Sequence, residues 1–155
     1  MSTDLGGLIE QYRVALEAEL VLLGQLKELA GRQRATTAAA DIDALQRASD
    51  QRDTLMSGLL AIEQQVRAVR DQLSKQRSAA RRMPGFDHVV GLHETVARTV
   101  RGILDTDRDS IRALEQIVES RRVAARSLDQ AESTLAAYGR MVMPPPSATL
   151  VNRKG

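Results

Sequence analysis

The chain has 155 residues, enough for one domain, and 27% of them are charged while only 2% are aromatic. Tyr12, Phe86 and Tyr138 are too few aromatics for the core and pocket of a typical compact enzyme, and 22 basic against 20 acidic residues leave a net charge of +2, too even to argue for nucleic acid despite a pI near 9.4. Cysteine is absent, which excludes a disulfide framework and a thiolate metal site.

Alanine, leucine and arginine dominate, a composition that suits long helices. The start, Met1-Ser-Thr-Asp-Leu-Gly-Gly, has neither a basic n-region nor an apolar h-region, and apolar runs such as Leu20 to Leu23 fall far short of the ~20 residues that span a bilayer. A cytoplasmic protein without membrane insertion is expected.

Ser2, Thr3 and Asp4 offer N-cap oxygens to a first helix over about 5–33, whose apolar ladder is Leu5, Ile9, Tyr12, Leu16, Glu19, Leu23, Leu26 and Ala30. Glu19 is the one charge on that ladder. It is either a carboxylate at the rim, the commoner arrangement, or the partner of Arg52, the only charge on the next ladder. Residues 34–40 read as a connection, because Thr36 and Thr37 disfavour helix and Asp41 is placed to cap the second helix.

That second helix is expected over about 42–82. Steps of three and four lead from Leu45 through Ala48, Arg52, Leu55, Leu59, Ile62, Val66, Val69, Leu73 and Gln76 to Ala80, one stripe of a helix with 3.6 residues per turn. Met56 and Leu60 widen the stripe, and Gly58 alone weakens it. At about 1.5 Å per residue such a helix is roughly 60 Å long, which predicts a rod. The cations Lys75, Arg77, Arg81 and Arg82 near its end suit the negative end of the helix dipole better than an anion site.

Met83-Pro84-Gly85-Phe86 is the clearest stop, with Asp87 able to cap the next helix. The third helix is expected over about 87–140, with a ladder from Val89 through Val96, Val100, Ile103, Asp107, Ser110, Leu114, Ile117, Arg121, Ala124, Leu128, Ala131 and Leu135 to Tyr138; Gly102 and Asp105-Thr106-Asp107 could bend it, but one long helix is expected. Pro144 to Pro146 then hold an extended segment. The expected fold is thus all-α: an elongated antiparallel three-helix bundle of long coiled-coil-like helices over 1–140, followed by an extended, Pro-containing flexible tail over 141–155.

Nothing in the sequence assembles an active site. His88 and His93 are five apart and do not share a helix face, Gly6-Gly7 lacks the context of a phosphate loop, and the Asp pairs read as solvated helix starts. No enzyme activity, metal or cofactor is expected. What such helices do is associate. Three helices of unequal length cannot cover one another fully, so helix one is expected to run out opposite about Asp71, and helix three to outrun its neighbours from about Leu128 to Val142. An uncovered seam marks a binding surface. On it, Leu128, Ala131, Leu135 and Tyr138 share a stripe, and the adaptable Met141 and Met143 come next with Val142 between them.

Several features together resemble the FlgN-type flagellar export chaperones. They are Ala40-Asp41 followed by Leu45, then Arg52, Leu55, Leu59 and Ile62-Glu63, a proline-glycine turn, a long last helix ending at Tyr138, and a tail closing on Leu150-Val-Asn-Arg-Lys. The resemblance implies a cytoplasmic chaperone of type III secretion. It would bind the C-terminal helical segments of hook-associated (hook-filament junction) proteins, keep them unassembled and deliver them to the flagellar export apparatus. Its client-binding region would be the end of helix three and the tail, including Leu150 and Val151. The proline run is not a feature that the resemblance requires. Two alternatives stay open: a homo-oligomeric coiled-coil scaffold, in which the exposed seam meets its own copy, and a peripheral nucleic-acid or membrane binder using the basic residues, against which the scattered arginines argue.

Overall fold

The computed structural model describes residues 4–142, and all regular structure among them is helical. The elements are α1 (Leu5–Ala38), α2 (Ile42–Lys75), the single turn α3 (Arg77–Ala80) and α4 (Phe86–Val142). Two compact units divide the chain after Leu114.

In the first unit the long helices pack as a bundle around one apolar cluster. Leu8, Ile9, Tyr12, Leu16, Leu23, Leu26 and Ala30 come from α1, Leu59, Val66 and Leu73 from α2, and Val89, Val96 and Ile103 from α4. All but Leu8 are ladder positions of the sequence. Each buried Leu or Val of this kind contributes on the order of 1.5–3 kcal/mol relative to exposure, and Leu16 and Val66 are fully enclosed.

The helix ends differ from the expected boundaries. α1 runs to Ala38 instead of ending near 33, because Thr36 and Thr37 satisfy their hydroxyls within the helix: Thr37 Oγ1 donates to the Gln33 carbonyl at 2.7 Å and Thr36 Oγ1 to the Arg32 carbonyl at 3.0 Å. The chain then reverses over two residues. The Asp41 amide donates to the Thr36 carbonyl and the Ala40 amide to the Thr37 carbonyl, the paired bonds of a Schellman cap. Ala40 takes the left-handed position with φ +54°, where glycine is usual. Asp41 caps α2 as expected, accepting from the Ala44 amide at 3.1 Å.

α2 stops at Lys75, well short of 82. Ser74 Oγ donates to the Asp71 carbonyl at 2.8 Å, competing for the last turn, and the crowded cations beyond it repel one another. The turn after α3 uses Gly85 at φ +85°. α4 begins at Phe86, so Asp87 lies inside its first turn, where its charge suits the helix N-terminus, and does not cap it. No break interrupts α4 between Gly102 and Asp107; Thr106 Oγ1 returns to the Gly102 carbonyl at 3.1 Å.

The start of α1 does not run out opposite Asp71. A Cβ built on Gly6 would lie 3.6 Å from Met83, and one on Gly85 would lie 3.8 Å from Ile9, so the first turn of α1 packs against the turn at 83–85. The longer α1, its two-residue reversal and the early end of α2 together shift the register.

Candidate binding surface

The second unit contains, among its described residues, only the helix from Glu115 to Val142. Ala124, Ala125, Ala131, Ala136 and Ala137 favour helix, and no glycine or proline interrupts the run before Gly139. Steps of four and three place Ile117, Arg121, Ala124, Leu128, Ala131, Leu135 and Tyr138 on one stripe. Leu128 is 65% exposed, Leu135 70% and Tyr138 67%. Ala131 is exposed as well. The four expected members of the binding stripe therefore share a face and stand in solvent.

The remaining expected site residues do not join them. Two three-residue steps from Leu135 carry Met141 about 120° around the helix, and it is 86% exposed, off the stripe. The side chain of Val142, together with Met143, Leu150 and Val151, lies outside the described residues.

The sequence reading passed over two charged residues on this surface. Arg121 and Glu132 lie on or beside the apolar stripe, whereas Glu115, Glu119, Arg122, Arg126 and Asp129 point to other faces by the same period. Among the described residues the ion pair of this stretch is Arg122 with Glu119 at 3.6 Å, and neither Arg121 nor Glu132 takes part in one. The signal was available as charges at seam positions, the same signal that singled out Glu19 and Arg52.

Within the first unit, a groove of about 330 Å³ opens between α1, α2 and α4, lined by Leu26, Met56, Leu59, Val100, Ile103 and Leu104, with Glu19, Arg52 and Asp107 at its polar edge. Arg52 pairs there with Asp107 through two bonds, Nη1 to Oδ1 at 2.8 Å and Nη2 to Oδ2 at 2.5 Å, and Nη1 also donates to Gln33 Oε1 at 2.9 Å. The hydrogen bonds to the Asp107 carboxylate hold the Arg52 guanidinium still more firmly protonated. Arg52 therefore joins α1, α2 and α4 through Gln33 and Asp107, and Glu19 is not its partner.

Glu19 is 8% exposed, well inside the rim. Burial, reinforced by the charge of Glu63 and opposed by that of Arg70, pushes its carboxyl above the ordinary range. The same Arg70 donates from Nε to the Tyr12 hydroxyl at 3.4 Å, and that hydroxyl lies 3.5 Å from His93 Nδ1. Among the described residues, no three His, Cys, Asp or Glu side chains are grouped to hold a metal, and no helix is long and apolar enough to cross a membrane.

Compared with family models, curated proteins and solved structures, the chain finds no match.

Proposed function

We propose that this chain is a binding protein that captures an amphipathic helix on the stripe Leu128, Ala131, Leu135 and Tyr138. Its proposed role is that of a cytoplasmic flagellar export chaperone, whose clients present the C-terminal helical segments of hook-filament junction proteins for delivery to the export apparatus. The observation that carries this reading is the exposure of the four stripe residues along a helix that repeats the ladder used elsewhere for the core. Leucine and tyrosine on a rigid helix supply large contacts at low entropic cost. The flagellar assignment of the client rests on the resemblance of Ala40-Asp41, the Arg52 to Glu63 ladder and the late Tyr138 to the FlgN-type chaperones.

The reading includes an antiparallel three-helix bundle as the scaffold. As the α1 position rises from Tyr12 through Leu22 to Gln33, its α2 partner falls from Arg70 through Gly58 to Arg52, which supports opposite directions for α1 and α2. The contacts of Gly6 with Met83 and of Gln33 and Asp107 with the same Arg52 support α4 running back alongside α1.

The test is capture of a purified hook-filament junction protein by wild type and by Tyr138→Ala or a chain lacking residues 139–155. The expected result is unchanged helical content and melting with capture abolished. Undiminished affinity in the truncated chain would remove the flagellar-chaperone reading.

A further inference from the structure

The two charges on the stripe fit a definite partner. We infer that a second copy of this chain docks antiparallel on residues 117–135 of α4, seam against seam. The inference goes beyond client capture and does not depend on it, because it concerns the protein alone.

The argument begins with size. When two copies of this helix run in opposite directions with Ala124 of one facing Leu128 of the other, the same register sets Arg121 against Ala131 and Ile117 against Leu135. Ala124 and Ala131, the two smallest residues of the seam, then each face one of its long side chains, and the packing alternates large with small as close-packed helices require. By two-fold symmetry every contact occurs twice.

Charge selects the same arrangement. Glu132 is the neighbour of Ala131 in the chain, so Arg121 of one copy reaches the carboxylate of Glu132 in the other, and the symmetric pair forms at the far end. Apart from Glu132, the positions bordering the seam are Val118, Ser120, Ala125, Ser127 and Thr134, all uncharged, so no like charges meet. A parallel pairing would stack Arg121 on Arg121 at the seam and leave Glu132 facing uncharged positions, so it is disfavoured. The isolated helix gives neither residue an ionic partner among the described residues. The second copy supplies both. Because it covers Leu128, Ala131 and Leu135, it competes with any helix captured there.

Sedimentation equilibrium of the purified full chain, without client, tests the inference. The expected result is a reversible transition from the 17.0 kDa monomer to a dimer. Arg121→Glu and Glu132→Arg should each weaken dimerisation by at least about tenfold through like-charge contact, and the double variant R121E/E132R should restore it. Both positions are exposed, so circular dichroism should report unchanged folding. Since the chain has no cysteine, Ala124→Cys mixed with Leu128→Cys should form a disulfide-linked pair faster than either variant links to itself. A monomer up to about 100 µM, single charge reversals without effect, or preferential self-linking of Ala124→Cys would overturn it.

Discussion

Residues 8–30 of α1 and residues 115–138 of α4 carry the same apolar period and meet opposite fates. In the first stretch Leu16 has no exposed surface; in the second Leu135 keeps 70% of its own. Both are leucines one step along a ladder that a helical wheel would draw alike. Period fixes which residues share a face, but only the partners present decide whether that face becomes a core or a binding surface.

The sharpest way to break this comparison is to truncate one leucine in each stretch. Leu16→Ala should destabilise the fold by about 3–5 kcal/mol, since it removes fully enclosed methyl groups and leaves a cavity. Leu135→Ala should change stability by less than about 0.5 kcal/mol, as expected of a solvent-exposed site. Urea unfolding of the two variants side by side measures both.

Polar joints come next. Arg52→Ala removes the guanidinium that Gln33 and Asp107 share and leaves a half-buried carboxylate without its partner. A loss of about 1–3 kcal/mol is expected, below that of Leu16→Ala because water still reaches both side chains. A double-mutant cycle with Asp107→Ala should show coupling, whereas a cycle of Arg52→Ala with Glu19→Ala should show little.

Glu19 should give the smallest effect, and its sign depends on pH. Its carboxyl titrates above the usual value in the folded chain, so its contribution to stability is fully present below about pH 4.5, the ordinary value, and is lost as pH rises through the raised folded value. Glu19→Gln removes the charge that burial penalises. The variant should melt slightly above wild type at pH 7, and the difference should close towards pH 4. A variant that melts lower at pH 7 would mean that the ionised carboxylate has a favourable partner.

These joints also mark how far the sequence could be read. The ladders of α1 and α2 were legible because every one of their members is buried or half-buried, including Arg52 and Gln76. The end of α1 was not, because Thr36 and Thr37 disfavour helix only while their hydroxyls compete with the backbone, and here both bond back to carbonyls a turn earlier. Ala40 conceals the reversal that a glycine would have announced. The partner of Arg52 was written as a seam charge at Asp107, but choosing it over Glu19 required the register between helices, which shifted once α1 reached Ala38. On α4, Leu128, Ala131, Leu135 and Tyr138 were legible as a stripe from spacing alone. Met141 was included for its chemistry, and the helical period carries it to another face.

Hydrogen–deuterium exchange tests the central claim most directly, by following amides 8–30 and 115–138 in one experiment across a dilution series. The account predicts slow exchange in 8–30 at every concentration. In 115–138 it predicts fast exchange in the dilute protein, slowing only as a second copy or an added client helix covers the stripe. Protection of 115–138 equal to that of 8–30 in the dilute chain alone, unchanged by concentration or client, would contradict it.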